Sequence, residues 1–288
     1  MQESVDILHH CPVCRGEMVF YFNGEILGKY TISYYCCNNC GLIRTEKPFW
    51  LDEAYSTAIA DLDVGLVNRN IRLSKVLRWI ICNWFDSKST FLDYAGGYGF
   101  FVRLMRNYGI DFHRYDKYCP NIFAKHFECA HLDRSDRYEL VTAFEVFEHL
   151  FEPVEEITSV FDVTDSILFS TEFLPKGIEN IGDWRYFSPE TGQHLTFYTL
   201  KSLKILAERL SVNYYYDNSG NGEALHLFTK KNLSEFSFYP KVEKRSFLNR
   251  LWVFLKGSPV NSKKIAVHYP KSLEEEDYAY IKSLIVKK

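Results

Sequence analysis

Residues 91–109 read FLDYAGGYGFFVRLMRNYG, and the rest of the chain is organised around them. Phe91-Leu92-Asp93 reads as the end of a short buried strand. Gly96, Gly97 and Gly99 follow as a turn whose backbone can approach a ligand closely, because no side chain blocks it. Phe100 to Tyr108 then carries Phe101, Leu104, Met105 and Tyr108 at helical spacing. A strand, a glycine turn and a helix N-terminus make a nucleotide-type cradle. The glycines are spaced GGxG, not GxGxxG, and Asp93 precedes them. An acidic residue there repels phosphate but suits a ligand that carries an ammonium group and hydroxyls. A second strand over Ile110–Tyr115 ends in Asp116, 23 residues after Asp93. An acid about 20 residues beyond a glycine turn binds ribose hydroxyls in dinucleotide folds.

Outward from this unit, residues 139–144 and 166–174 read as buried strands. Residues 212–217 and 224–230 read as a closing antiparallel pair around NSGNG. Residues 68–85, with Ile71, Val76, Leu77, Ile80, Ile81 and Trp84 at helical spacing, predict a helix packed on the sheet, and 152–161 and 199–210 predict two more. The count suits an α/β fold, a seven-stranded sheet with helices on both faces. The expected division is 1–46, 47–232 with an N-terminal helical connector, and a C-terminal extension over 233–288. In that extension FLNRLWVFLKG (247–257) and SLEEEDYAYIKSLIVKK (272–288) are helix candidates, available to cap the domain or to pair two copies as a homodimer.

Among 288 residues, 47% are hydrophobic and 17% aromatic, enough for a sizeable core and generous for ring-stacking surfaces. The net charge of −3 gives no general pull towards nucleic acid, so no nucleic-acid partner is expected. No stretch approaches the roughly 18 apolar residues of a membrane span, and the first residues hold no apolar signal run. A cytoplasmic protein is the expectation, and its eight cysteines then read as metal ligands or core thiols, not disulfides.

Residues 11–14 are CPVC and residues 37–40 are CNNC, followed by Gly41. Each C-x-x-C offers two thiolates to one tetrahedral ion, and two such knuckles around a hairpin-like stretch make a zinc ribbon with Cys11, Cys14, Cys37 and Cys40 as ligands. Cys37 is preferred to its neighbour Cys36 because it holds the C-x-x-C-G register. Four thiolates leave no position for substrate, so the zinc is expected to be structural. Cys82, Cys119 and Cys129 read as core thiols.

A second chemical cluster follows the 139–144 strand. Glu145-x-x-Glu148-His149 puts two carboxylates and an imidazole at the mouth of the sheet. Residues 183–200, DWRYFSPETGQHLTFYTL, add His194 and the aromatics Trp184, Tyr186, Phe187 and Phe197 on a loop over the pocket. Arg69 and Asn70 read as solvated or capping residues.

The runs FLDYAGGYG, YELVTAFEVFEHL and GQHLTFYTLKSL resemble the class I S-adenosylmethionine (SAM) methyltransferases found beside bacterial capsule, O-antigen and other glycan genes, including their cysteine-rich N-terminus. The resemblance spans about residues 8–230. It implies a Rossmann-like sheet, SAM as methyl donor, and a cofactor site of Asp93, Ala95, Gly96, Gly97, Gly99, Asp116, Lys117 and Glu145. It implies polysaccharide biosynthesis and a glycan or small-molecule acceptor. The E-x-x-E-H pattern with a later His is similar to that of small-RNA 2′-O-methyltransferases, in which the corresponding side chains hold a divalent metal. Ubiquinone-pathway O-methyltransferases share the E-x-x-E-H part. Nucleotide-sugar C-methyltransferases also begin with a zinc module and have an HLTFY-like loop whose His is a proposed base, but no counterpart of their large C-terminal domain is expected in these residues, which weakens the C-methylation reading.

Two chemistries therefore stand open for Glu145, Glu148, His149 and His194: ligands of a second divalent ion such as Mg or Mn, or direct proton removal by a histidine. The leading function is O-methylation of a sugar hydroxyl. The alternatives are methylation of a small phenol, an amine or an RNA 3′ end, and a non-catalytic zinc-ribbon assembly protein.

Overall fold

The computed structural model describes residues 9–56, 62–217, 224–240 and 269–286. The helix candidate over 247–257 and the NSGNG turn at 218–222 lie outside the described residues. The central sheet runs β5-β4-β6-β7-β10-β9, with β4 at Thr90–Tyr94, β5 at Asp111–Tyr115, β6 at Val141–Phe144, β7 at Ser166–Ser170, β9 at Asn213–Tyr216 and β10 at Leu225–Thr229. Strands β5, β4, β6 and β7 are parallel, and β10 is inserted antiparallel between β7 and β9.

Six strands stand where seven were expected among the described residues. Beyond β5 the sheet continues only as a single bridge, Arg114 to Glu128. The Arg114 backbone makes that bridge, its N–H donating to Phe127 O and its carbonyl accepting from Cys129 N at 2.9 Å each, while its side chain donates to Gly97 O at 2.5 Å and to the carbonyl of Cys119, with Glu128 at 3.3 Å. Positive φ at His126 breaks the extended chain there.

Because side chains alternate along a strand, neighbouring residues feed opposite cores. Phe91, Phe112, Leu168 and Leu227 face the helices at Leu66–Trp84 (α2) and Phe100–Asn107 (α3). Leu92, Val141, Ile167 and Phe228 face the helices at Pro153–Phe161 (α4) and Leu200–Arg209 (α5). The predicted helix 68–85 is thus present, extended by two residues at its start. The last described helix, Glu274–Val286 (α6), packs on its own chain: the buried Asp277 accepts from Arg106 at 2.7 and 2.9 Å and pairs with Arg103 at 3.0 Å, which ties α6 to α3.

The N-terminal stretch forms a second sheet, β1 (Met18–Ile26), β2 (Tyr30–Cys37) and β3 (Ile43–Thr45). Its fourth strand, β8 (Thr196–Phe197), comes from the far loop that carries His194 and pairs with Ile43 and Arg44. A third core of Phe22, Ile32, Tyr34, Phe187 and Phe197 fills the space between hairpin and loop. Phe187 and Phe197 are therefore structural, at 1% exposure each, and only Trp184 and Tyr186 of the loop's expected stacking aromatics are partly open.

Candidate functional site

The glycine turn and its two acidic residues sit at the carboxyl ends of β4 and β5. Asp93 is the last inward residue of β4, 5% exposed, with Thr142 Oγ1 donating to it at 2.6 Å. Burial above all, and then the charge of Asp116, push its pKa up to about 7; Thr142 and Arg114 oppose them. Ala95 at φ +55° bends the chain out of the strand, and Gly97 at +54° and Gly99 at +82° continue the turn. A side chain at Gly96 would stand 2.7 Å from Asp93 Oδ2, so glycine is required there. Gly99 occupies the N-cap of α3, leaving the first helical N–H groups free for a ligand.

Asp116 is committed to the backbone more than the sequence suggests. Its Oδ1 accepts from Tyr118 N and Cys119 N at 2.8 Å each, and its Oδ2 accepts from Gly97 N at 2.9 Å. This carboxylate shapes the glycine turn from below, and one lone pair of Oδ2 is left for a ribose hydroxyl. Lys117 is exposed.

A second cluster of polar side chains begins where β6 stops. Glu145, at φ +53°, turns its carboxylate onto Ser170 Oγ, which donates at 2.6 Å. A 3₁₀ turn, Phe147–His149, then presents Glu148 and His149. Three bonds stitch this turn to the distant loop. Leu195 N donates to Glu148 O at 2.7 Å, Thr196 Oγ1 to Leu150 O at 2.7 Å, and Tyr198 Oη to Phe147 O at 3.0 Å. That stitching brings His194 against His149, with ring centroids 4.9 Å apart and nearly perpendicular.

Glu148, His149 and His194 each offer a ligand atom, all within 4.8 Å of one another. Glu145 is not in this group; its bond to Ser170 holds it aside. Glu148 is fully buried, and neither of its oxygens has a hydrogen-bond partner. Tyr186 and Thr171 face it from beyond bonding geometry. Burial first, and then repulsion from Glu145, push its pKa up to about 8. Both imidazoles shift the other way: burial, then the neighbouring His194, lowers His149 to about 3, and burial lowers His194 to about 4. His194 Nδ1 is 2.6 Å from Tyr186 O, and His149 Nδ1 is 2.8 Å from Tyr55 Oη. Each imidazole is thus held through its Nδ1, and the Gln193 backbone also lies close enough to His149 to act on it.

Tyr55 and the Tyr186 carbonyl carried no signal in the sequence as imidazole partners, since nothing in their neighbourhoods marks them. Arg69 is held by Asp63 at 2.6 and 3.0 Å, and Asn70 donates to Leu66 O within its own helix.

The four cysteines of the two knuckles converge. Cys11, Cys14, Cys37 and Cys40 place their sulfurs within 4.8 Å of one another, and Cys36 is outside the group. Cys11 and Cys40 are 3.6 Å apart and Cys14 and Cys37 3.4 Å, close to the about 3.8 Å of four sulfurs around one tetrahedral zinc. Gly16 N and Cys40 N donate to Cys14 and Cys37 sulfurs at 3.4 and 3.5 Å, which favours thiolates. These residues fit a zinc ion.

A family model described as a methyltransferase domain matches residues 69–212. No curated protein matches the chain. Among solved structures, the chain is similar to CalO1, the methyltransferase of calicheamicin biosynthesis, seen with SAH bound: 12% identity over 65% of this chain and 64% of that one, TM-score 0.45. It is similar to an O-methyltransferase family protein from Burkholderia thailandensis (12% identity, 63% and 67% of the chains, TM-score 0.41). It is also similar to human N-acetylserotonin methyltransferase in complex with SAM (12%, 64% and 66%, TM-score 0.37). The chain thus spans just under two thirds of the calicheamicin enzyme's length.

Proposed function

We propose that the chain, which belongs to the methyltransferase-domain family, is a SAM-dependent methyltransferase that O-methylates a sugar hydroxyl, of a glycan unit or an activated sugar precursor, at a site made by Glu148, His149 and His194. SAM, when bound, supplies the methyl group as a sulfonium electrophile. The glycine turn admits its backbone-hugging part, Asp116 offers an acceptor to its ribose, and Asp93 a carboxylate to its ammonium. Ala95, Gly96, Gly97 and Gly99 line that cradle, with Lys117 at its rim and Glu145 at its boundary with the acceptor. Cys11, Cys14, Cys37 and Cys40 hold a structural zinc in this reading.

The observation that carries the acceptor chemistry is Glu148, a fully buried carboxylate with no hydrogen-bond partner, beside two imidazoles. A buried carboxylate is retained at high cost unless it meets a cation or stays protonated. A divalent ion held by Glu148, His149 and His194 would grip neighbouring acceptor oxygens and lower the pKa of the attacking hydroxyl. The lowered imidazole pKa values support the same choice. They keep both rings neutral and able to ligate at pH 7, and they make both rings weak proton acceptors for direct base catalysis. A vicinal diol is the acceptor group that uses such an ion best, and Trp184 and Tyr186, packed on each other at 4.9 Å, are the partly exposed aromatic rings of the same loop.

Transfer of label from SAM to nucleotide-sugar and cell-envelope glycan fractions tests the reading. Activity lost to a chelator too mild to strip a four-thiolate zinc, and restored by Mg²⁺ or Mn²⁺, supports the ion. Undiminished activity removes it and returns His149 and His194 to the role of base. Failure to label any glycan or sugar fraction removes the sugar.

A further inference from the structure

Tyr55 stands at the junction of the two ends of the cleft. It closes a short helix, Leu51–Ala54 (α1), and two bonds rivet that helix to the His194 loop. Trp50 Nε1 donates to Gly192 O and Gln193 Nε2 to Ala54 O, at 2.7 Å each. From that fixed base the Tyr55 hydroxyl reaches His149 Nδ1 at 2.8 Å. Its other face is stacked on Tyr118, centroids 5.6 Å apart and planes 15° from parallel, and Tyr118 belongs to the turn whose amide binds Asp116. Glu148 and Asp116 both lie close enough to Tyr55 for their charge to act on it.

We infer that Tyr55 is a positioning residue for His149: its hydroxyl oxygen accepts Nδ1–H, which fixes the tautomer whose Nε2 keeps a lone pair for the group shared with Glu148 and His194. The inference rests on the reading that these three side chains hold a divalent ion. The alternative tautomer, Nε2–H, would place a proton where the ligand belongs. A hydroxyl can donate or accept, so the choice is made by what surrounds the pair. With a cation bound to Nε2, Nδ1 must carry the proton, and the Tyr55 oxygen at 2.8 Å is an acceptor in place for it. Such outer partners commonly set metal affinity by about 10- to 100-fold. The stack on Tyr118 restricts the Tyr55 ring from the cofactor side, so the same hydroxyl is held from both ends of the cleft.

The test uses the full chain with its zinc loaded, Mn²⁺ as the probe ion and Tyr55→Phe as the variant, which removes one oxygen and leaves the stacking ring. Three quantities are read: Mn²⁺ affinity, SAH affinity by calorimetry, and the tautomer of His149 from ring-¹⁵N shifts, its signal assigned by its disappearance in His149→Gln. The expected result is Mn²⁺ binding weakened by about 10- to 100-fold, SAH affinity unchanged within about twofold, and loss of the fixed Nδ1–H tautomer. Unchanged Mn²⁺ affinity with the wild-type ion site intact, or an unchanged tautomer in Tyr55→Phe, overturns the inference. If the wild-type chain binds no Mn²⁺ that His194→Ala abolishes, the ion reading has failed instead. The tautomer, measured without any ion, then decides alone whether Tyr55 orients His149.

Discussion

Apart from Thr142 on Asp93 and Glu145 at its boundary, the groups that shape the cofactor end come from one stretch of chain, residues 93–124, in which a strand end, a glycine turn and the next strand end bond to each other over short sequence distances. The acceptor end is drawn from stretches far apart: Tyr55, the 147–149 turn and the 186–199 loop, with the N-terminal hairpin as the surface on which that loop is laid. The N-terminal module contributes no side chain to the Glu148 group, yet it holds the loop at many points. Leu27 N donates to Pro189 O at 2.8 Å and Thr45 N to Leu195 O at 2.9 Å. Thr199 Oγ1 donates to Cys40 O at 2.7 Å, and Arg209, at the far end of α5, donates to Pro12 O and Val13 O at 2.6 Å each. Both cysteine knuckles are thus clamped to the helix that follows His194. A local site depends on backbone geometry that few residues can disturb; a non-local one depends on its scaffold.

The largest effect should come from breaking the scaffold. Cys14→Ser or Cys37→Ser removes one thiolate from the cysteine group without touching either end of the cleft. Turnover should fall by about 100-fold or more, because displacing a positioned group by about 1 Å costs that much. SAH affinity in the same preparation should stay within about threefold. Thermal unfolding alongside the calorimetry separates loss of the fold from loss of the loop. A folded variant that loses SAH binding, or keeps full turnover, would erase the distinction between the two ends.

This division also explains how much was legible in the sequence. That Asp93, the glycines and Asp116 share one turn was readable, because their spacing is their geometry. The choice of Cys37 over Cys36 was readable from a register of four residues, and the sulfur grouping agrees with it. Glu148, His149 and His194 could be named from residue type. Their partners could not, because Tyr55 lies 94 residues from His149 and the Tyr186 carbonyl is backbone. Glu145 looked equivalent to Glu148 in sequence; a positive φ and one bond to Ser170 send it elsewhere. Strand β8 is two residues long, too short to show any alternation, so the joining of the two sheets was invisible. Among the described residues the expected seventh strand is reduced to the bridge between Arg114 and Glu128, too short to show as a strand in the sequence.

A middle-sized effect sharpens the comparison from the cofactor side. In Gly99→Ala the new carbon would stand 2.6 Å from Asn121 Oδ1, in backbone at φ +82° that L residues avoid. Strain of this kind costs on the order of 1–3 kcal/mol. SAH affinity should fall by about 10- to 100-fold, while Mn²⁺ affinity at Glu148, His149 and His194 stays within about twofold. Gly97→Ala makes a finer version, since no atom lies within 4 Å of its added carbon: only the left-handed backbone at φ +54° costs stability there, and SAH binding should weaken if the cofactor approaches on that open side. Equal losses of SAH and Mn²⁺ binding in either variant would show that the ends are not separable.

The smallest effect concerns protons, and the two ends should answer pH differently. Asp93 has its pKa raised to about 7, chiefly by burial. Below that value it is largely neutral, above it largely ionised, and the ammonium group of SAH favours the ionised form. Affinity for SAH should therefore rise with pH. With a midpoint near 7 the ionised fraction grows about tenfold from pH 6 to pH 8, and so should the association constant. Above pH 8 it should level off. Binding at pH 6 should release close to one proton, seen as a dependence of the calorimetric heat on buffer ionisation enthalpy, and at pH 8 almost none. Glu148, raised to about 8, must lose its proton to meet a cation, so Mn²⁺ affinity should still be climbing at pH 8 where SAH affinity is already flat. Asp93→Asn separates cause from coincidence: it should bind SAH weakly and with no slope between pH 6 and 8, and leave the Mn²⁺ slope in place. A wild-type SAH profile flat across that interval would mean that Asp93 does not face the ammonium group, and that the cofactor end owes its selectivity to the glycine turn and Asp116.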